Sequence, residues 1–179
     1  ISISDDGSIV AFGVPRNRGN GIYAGNVLIY RKNNNTLELI GEIDGDKALD
    51  QAGQSVSLSA DGTIIAIGAN GVDDNGSGSG HARIYQYVND NSWTQVGSDI
   101  DGESTDDYSG RSVSLSDDGT IIAIGADRND GNGSNSGHTR VYQYASNSWS
   151  QIGSDIDGES ADDYSGRSVS ISDDGTIVA

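Results

Sequence analysis

The chain has 179 residues, a formal net charge of −17 and no cysteine. These values exclude a disulfide framework, a thiolate nucleophile and a cysteine metal site, and the acidic surface argues against nucleic acid as a partner because it repels phosphate backbones. Apolar runs such as residues 64–69 are far too short to span a membrane, so no direct membrane insertion is expected.

The same sequence motif recurs along the chain at a fixed spacing. Ser55 begins SVSLSADGTIIAIGA, Ser112 begins SVSLSDDGTIIAIGA and Ser168 begins SVSISDDGTIVA, so the starts lie 57 and 56 residues apart. A period of this size is typical of repeat architectures. We therefore predict a divergent unit at 1–54, full units at 55–111 and 112–167, and the start of a further unit at 168–179. We interpret the chain as a fragment of a longer array.

Within the unit 112–167 the pattern predicts four strands. Residues 112–116 alternate polar and apolar side chains, as in a half-buried strand, and the Asp-Asp-Gly that follows predicts a tight turn. Residues 120–126 form a β-branched run that suits a strand buried on both faces. Residues 138–144 and 148–153 predict the third and fourth strands, and residues 155–166 a link to the next unit.

Four antiparallel strands per unit, repeated with long polar connections, predict an all-β fold of β-propeller blades seen as a partial array. A sandwich would not repeat a near-identical four-strand unit, and a β-solenoid, the second alternative, has no need of the turn at Asp118-Gly119. The serine-rich first strand fits the crowded position near a propeller axis. The aromatic residues Tyr142, Tyr144 and Trp149 fit the wedge between blades, and Leu37 stands where the first unit should carry the Trp.

Three stretches carry a resemblance: DYSGRSVSLS at 107–116, IIAIGA at 121–126 and GHTRVY at 137–142. Together they resemble the FG-GAP repeat, the blade unit of integrin α-subunit propellers and of many microbial and algal surface proteins. Gly110 stands for the Gly of FG, with Ser109 in place of Phe, and Gly125-Ala126 matches GA, with Asp127 in place of Pro. The resemblance implies a propeller on a secreted or surface protein. The Ser-x-Asp-Gly turn is also similar to TolB-like and WD-type propeller blades.

Calcium-binding members of this family use an Asp-x-Asp-x-Asp-Gly loop between the first two strands. Residues 116–120 form only a tight turn in this chain, so we do not expect the family's calcium site between the first two strands. The links between units hold five carboxylates within nine residues, and carboxylate oxygens suit Ca²⁺ as a cofactor. The alternative is that these acids cap turns and stay solvated. The candidate ligands are Asp99, Asp101, Glu103, Asp106 and Asp107, with Asp155, Asp157, Glu159, Asp162 and Asp163 one unit later.

A second candidate site is the Gly- and Ser-rich loop 73–80, which recurs at 129–137. It could bind a sugar or a partner, although its composition favours a flexible linker. Asn75 and Asn132 begin Asn-Gly-Ser patterns that fit glycosylation acceptors, while Asn-Gly is also a common turn. His81 and His138 occupy equivalent positions and are interpreted as structural.

These features predict a non-enzymatic module with a structural or adhesive role, extracellular or on the cell surface. Its partners would be a protein, a glycan or other propeller chains. No catalytic residue is assigned, because successive units carry the same polar set whereas an active site breaks the symmetry of its scaffold. Two alternatives stay open: a hydrolase or lyase whose site lies on the axial mouth in blades outside this chain, and a filament or coat component.

Overall fold

The computed structural model describes residues 1–71 and 75–179. This part of the chain contains fourteen β-strands and no α-helix. The same residues include no helix that is long and apolar enough to cross a bilayer. The strands form three antiparallel sheets, which we call the first, second and third blade, and the predicted all-β class is confirmed.

The strands of each blade pair in chain order, as consecutive hairpins do. The first blade contains β1 (Ser2–Ile3), β2 (Ile9–Val14), β3 (Asn26–Asn33) and β4 (Thr36–Asp44). The second contains β5 (Ala52–Leu58), β6 (Ile64–Ala69), β7 (His81–Asn89), β8 (Ser92–Gln95) and β9 (Ile100–Asp101). The third contains β10 (Ser109–Leu115), β11 (Ile121–Ala126), β12 (His138–Ala145), β13 (Ser148–Gln151) and β14 (Ile156–Asp157). Beyond it, Ile171 pairs with Val178 in the start of a further hairpin.

The short strands β9 and β14 were not predicted. The sequence pattern assigns the residues around them to polar connections, whereas β9 pairs with β7 and β14 with β12. The reason is geometric, because β13 covers only residues 142–145 of β12 and leaves its first residues with open backbone groups. Continuing the fourth strand after an interruption satisfies those groups. In the first blade β4 runs unbroken over the same distance.

In the tight turn between the first two strands of each blade, the carboxylate of the turn accepts hydrogen bonds from residues of the same turn. Ser116 Oγ donates a hydrogen bond to Asp118 Oδ1 (2.8 Å), which also accepts one from the amide of Thr120 (2.9 Å). The backbone hydrogen bond from Thr120 is the largest of several that lower the pKa of Asp118. The turn is therefore closed by an internal acceptor, and it leaves no loop that could enclose a metal ion.

The second strands of the second and third blades are buried on both faces, as predicted for residues 120–126, whereas β2 of the first blade is only half-buried on one face. Ile65 and Ile67 of β6 pack towards the first blade, whereas Ala66 packs towards the third. The same alternation gives two apolar layers, one on each side of the second blade. In the third blade Val113, Leu115, Ile122 and Ile124 are buried, as the apolar positions of the two predicted strands require. Ile121 is half-buried and lies next to Gly175.

Neighbouring blades approach one another closely at paired glycines. A Cβ on Gly68 of β6 would overlap the carbonyl group of Gly110 in the next blade, although Gly68 has no positive φ. Gly13 with Gly53 and Gly125 with Gly166 repeat this contact. The two glycines of the FG and GA motifs therefore meet across every junction. Close backbone approach, rather than conformational freedom, requires glycine at position 68.

Serine hydroxyls complete the contact between inner strands, which explains the serine-rich first strand. Ser55 Oγ donates to the carbonyl oxygen of Gly110 (2.8 Å), and the amide of Leu115 donates to Ser57 Oγ (3.0 Å). The same bonds recur one blade later, from Ser112 to Gly166 and from Ile171 to Ser114. The predicted place of this strand at the crowded inner position agrees with these contacts.

The antiparallel topology places the two kinds of connection at opposite ends of each blade. The tight turns join the first strand to the second and the third to the fourth. The two long connections, between the second and third strands and between successive blades, therefore share the other end. We call this end the loop face; it includes residues 127–137 and 102–108. Propeller chemistry and binding are expected there, because loops on a rigid scaffold carry function.

Candidate functional site at the blade junctions

A buried arginine joins each blade to the one before it. Arg140 of β12 contacts Asp155 of its own blade (Nε–Oδ2, 3.3 Å) and pairs with Glu103 of the preceding link. Arg83 of β7 repeats the arrangement with Asp99 (2.8 Å) and Asp46 (2.6 Å). Both arginines are less than one tenth exposed. The guanidinium fork, with its five donors, suits this bridging between two carboxylates.

The electrostatics of the junction favour the ionised carboxylates. Partial burial opposes ionisation of Asp155, but the hydrogen bond from Gln151 and the charge of Arg140 outweigh it and lower the pKa. The pKa of Asp99 falls in the same way, because bonds from Arg83 and Gln95 outweigh its desolvation. The ion pairs therefore stay formed well below neutral pH.

Each junction also contains a buried histidine that faces carboxylates. His138 Nδ1 lies 3.6 Å from Asp155 Oδ2 and accepts or donates no hydrogen bond among the described residues. Burial lowers the pKa of His138, and the nearby carboxylates offset this only in part, so the ring is neutral at pH 7. In the junction before it, desolvation raises the pKa of Asp50, whose Oδ1 lies 3.8 Å from His81 Nε2.

Glu103, His138 and Asp155 place potential ligand atoms within 4.8 Å of one another. This spacing would suit a metal ion, yet Arg140 already contacts both carboxylates of the group. A histidine ligand is also outside the all-oxygen set that Ca²⁺ takes. The histidine was interpreted from the sequence as structural, and its place between two acids becomes visible only once the blades are packed.

The ten predicted ligands are divided among different tasks. Asp99 and Asp155 each pair with an arginine, and Glu103 pairs with the arginine of the next blade. Asp107 and Asp163 accept hydrogen bonds from the amides of Ser104 and Ser160 and so cap turns. Asp101 and Asp157 lie on the short strands β9 and β14, and Asp162 accepts a bond from Asn135. Asp106 and Glu159 are exposed on the links.

The loop 129–137 is not a flexible linker, which corrects the interpretation that its composition favours. Asp130 accepts from the amide of Asn135 (2.8 Å), and Ser136 is fully buried. The side-chain amide of Asn132 donates to the carbonyl oxygen of Gly158 (3.1 Å), as Asn75 does to Gly102 (2.8 Å). Local hydrogen bonds, rather than apolar burial, order this segment. In the equivalent loop, Asp73 and Asp74 lie outside the described residues.

We expect loss of the bridging arginine to weaken the junction. Arg140→Gln should lower the free energy of unfolding at pH 7 by about 1–2 kcal/mol, because the arginine is buried while its two acids are partly solvated. The pKa of Asp155 is lowered by folding, so its ionised form stabilises the native state above the ordinary pKa of roughly 4. That contribution disappears as the pH falls through the lowered value.

Urea denaturation across the acid range tests this expectation. The difference between the parent chain and Arg140→Gln should shrink below about pH 4. Arg18→Gln removes an arginine that lies 5.2 Å from the ring of Tyr23, in the same connection of the first blade, and serves as the control. If the difference in unfolding free energy between the two chains stays constant as the pH falls, Arg140 stabilises the junction by packing alone.

The cation predicted at the links stays a prediction, and the contacts restrict where it could bind. A cavity of about 450 Å³ lies between the second and third blades on the loop face. Its acidic lining residues are Glu103, Asp107, Asp130, Asp155 and Asp157.

If Ca²⁺ binds in this cavity, thermal unfolding should move to higher temperature in calcium than in chelator. The double change Asp130→Asn with Asp157→Asn should reduce that difference. Asp90→Asn, at a distant turn, is the control. Identical thermal unfolding curves in calcium and in chelator would contradict the binding of a cation at the links.

A third set of residues, which lines a cavity on the loop face, was not predicted from the sequence. Tyr108, Arg111, Arg128, Tyr164 and Arg167 line a second cavity, of about 250 Å³, on the loop face. Tyr108 and Tyr164 have positive φ values of 57° and 54°, an uncommon conformation for a bulky residue. The recurrence of Tyr-x-x-Arg in successive links, in a chain with few basic residues, was the signal available in the sequence.

Comparison with known proteins agrees with this architecture. Residues 96–142 match the family model of the FG-GAP repeat. The match runs from the link before the third blade, through β10 and β11, into β12. A search of the curated proteins found no match.

Solved structures with the same fold include enzymes with long chains. A provisionally named 6-phosphogluconolactonase from Bacteroides fragilis has a TM-score of 0.58 at 16% identity, over 87% of this chain and 37% of that chain. A second, from Bacteroides uniformis, has a TM-score of 0.58 at 12% identity, over 98% and 44%. Hydrazine synthase from Kuenenia stuttgartiensis has a TM-score of 0.55 at 14% identity, over 99% and 40%. The chain thus spans about two fifths of each, and at these identities the likeness shows the fold alone.

Proposed function

We propose that this chain, built of FG-GAP propeller repeats, is a non-catalytic binding module of a secreted or cell-surface protein. Its blades form a rigid platform, and its loop face contacts a glycan or a protein. The single observation that supports a scaffold role is the repetition of the junction: Arg83 and Arg140 make the same bridge, one blade apart. Side chains that are engaged in identical inter-blade contacts act as structural links.

The ordered long loops support the binding half of the proposal. Residues 129–137 are held by their own hydrogen bonds and by the link that follows β13, so the loop face presents a fixed surface. A fixed surface loses little conformational freedom when a partner binds, which favours affinity. The resemblance to surface propellers supports the extracellular location and the adhesive role.

A glycan array, together with immobilised extracellular-matrix proteins, tests this function. We expect saturable binding of the purified chain to one class of ligand, with no new product released from that ligand over a day. Release of a cleaved product would instead favour the hydrolase or lyase alternative. Absence of saturable binding to every glycan and matrix protein would contradict the binding role.

A further inference from the structure

The cavity of about 250 Å³ lies where the blades converge. Gln51, Tyr108 and Tyr164 all line it, and they occupy the same position in three successive links. Equivalent residues of three blades can meet only near the axis, because the blades diverge outwards. The cavity is therefore part of the axial mouth on the loop face. It is smaller than the roughly 300–1,000 Å³ typical of drug-sized ligands, so it suits one compact group.

The cavity concentrates positive charge in a strongly acidic chain. Arg111, Arg128 and Arg167 line it, and they are three of the ten basic residues in a chain with a net charge of −17. Arg111 has a loose contact (3.7 Å) with Asp127, the one acid that also lines the cavity among the described residues. Within residues 1–71 and 75–179, neither Arg128 nor Arg167 forms an ion pair with a carboxylate. Two positive charges thus remain uncompensated in a concave site, which is an arrangement that attracts an anion.

The backbone holds one of these arginines in place. Tyr108 adopts its positive φ of 57°, and the Arg128 guanidinium carbon lies 4.8 Å from the centroid of the Tyr108 ring. A left-handed conformation at a non-glycine residue is unfavourable and persists where the surrounding structure imposes it. The stacked contact limits the freedom of Arg128 before any ligand arrives, which reduces the entropy that binding would cost.

A buried acceptor at the same cavity indicates that the ligand also donates a hydrogen bond. Asn70 lines the cavity and is only 5% exposed, yet its Oδ1 atom accepts no hydrogen bond from the described residues. An unsatisfied buried carbonyl is unfavourable and is expected to find a donor. A simple carboxylate such as acetate has no such donor, whereas a hydroxyl group next to a carboxylate would supply it.

The unit before the second blade breaks the pattern. Its link has Gln51 and Gln54 where the following links have Tyr and Arg, and in the second blade Gly71 stands where the third blade has Arg128. The cavity therefore has its three arginines, with Asp127 among them, on one side and the neutral amides of Gln51 and Asn70 on the other. This asymmetry suits a ligand with an acidic end and a hydroxyl-bearing end.

We propose that the axial mouth binds an acidic sugar unit, with its carboxylate on Arg111, Arg128 and Arg167 and a hydroxyl on Asn70 Oδ1. The inference rests on the proposed binding function and names its ligand class. Arginine forks match carboxylates with two parallel hydrogen bonds, and the neighbouring amide oxygen selects a hydroxylated carboxylate over a bare one.

Calorimetric titration of the 179-residue chain with D-galacturonate and D-glucuronate tests the proposal. The comparison ligands are D-galactose and D-glucose, which lack the carboxylate, and acetate and inorganic phosphate, which lack the sugar hydroxyls. We expect one of the uronates to bind at least about tenfold more tightly than its neutral sugar and than either simple anion. Equal binding of acetate, phosphate and uronate would overturn the sugar assignment, and no uronate binding would overturn the site.

Variants separate this site from the rest of the surface. Arg128→Gln should weaken uronate binding by at least about tenfold, whereas Arg31→Gln, which removes another arginine near a tyrosine ring, should leave it within about twofold. An equal loss in both variants would show that the overall charge attracts the anion. If acidic sugars fail while other array ligands bind, only this inference fails. If an oligogalacturonide is cleaved, as a reducing-sugar assay would detect, the proposed non-catalytic function fails instead.

Discussion

Replacing Gly68 by Ala should lower the free energy of unfolding by at least about 3 kcal/mol. The new Cβ would overlap the backbone carbonyl of Gly110 in the next blade and Ser55 Oγ within its own blade. A backbone carbonyl cannot rotate aside as a side chain can, so the two blades have to separate. Urea denaturation with a fluorescence readout measures the change.

Gly153→Ala is the matched control for this substitution. Gly153 has a positive φ of 74°, but no other atom lies within 4 Å of the added Cβ. It should therefore cost only the backbone strain, about 1–2 kcal/mol. If Gly68→Ala is no more destabilising than Gly153→Ala, the glycine pairs do not set the distance between blades.

Trp149→Ala should lower the free energy of unfolding by about 2–4 kcal/mol. Its ring packs on Gly97 and its Nε1 donates to the carbonyl oxygen of Val96 in the preceding blade (2.8 Å). Trp93 makes the equivalent bond to Ile40 (3.1 Å), so the contact belongs to the junction and not to one blade. The value lies below that of a fully buried tryptophan because Trp149 is only half-buried.

Leu37→Ala provides the comparison for the tryptophan. Leu37 occupies the same register position in the first blade and is 56% exposed. It should change stability by less than about 0.5 kcal/mol. Thermal or urea unfolding of the two variants under the same conditions decides the point. Similar losses from Trp149→Ala and Leu37→Ala would mean that the ring stabilises its own hairpin and not the junction.

The sequence predicts what is local within a blade. The alternation in residues 112–116, the Asp-Asp-Gly turn and the β-branched run each act over a few residues, and the structure confirms the strands and the turn. The period of the repeat then identifies the propeller, because it shows that identical units pack against one another. The place of Trp149 between blades follows from the same reasoning.

Contacts between blades could not be predicted from these local patterns. The acids of one link look like a single cluster in the sequence, yet Asp99 pairs within its own blade while Glu103 reaches Arg140 in the next. Glu103 and Arg140 lie 37 positions apart in the chain, and no local pattern joins them. The order of residues 129–137 was missed for a similar reason, since side-chain hydrogen bonds replace the apolar burial that composition measures.

The central claim is that repeated junctions lock the blades into one platform. Native-state amide hydrogen exchange tests it most directly, because amides outside the second strands bond across the junctions, among them Asp5 to Ala60 (2.9 Å), Ala60 to Asp117 (2.9 Å) and Leu115 to Ser57 Oγ (3.0 Å). If the blades separate only on global unfolding, these amides should exchange as slowly as those of β6 and β11. Fast exchange at Asp5, Ala60 and Leu115, with β6 and β11 still protected, would show independent blades and contradict the claim.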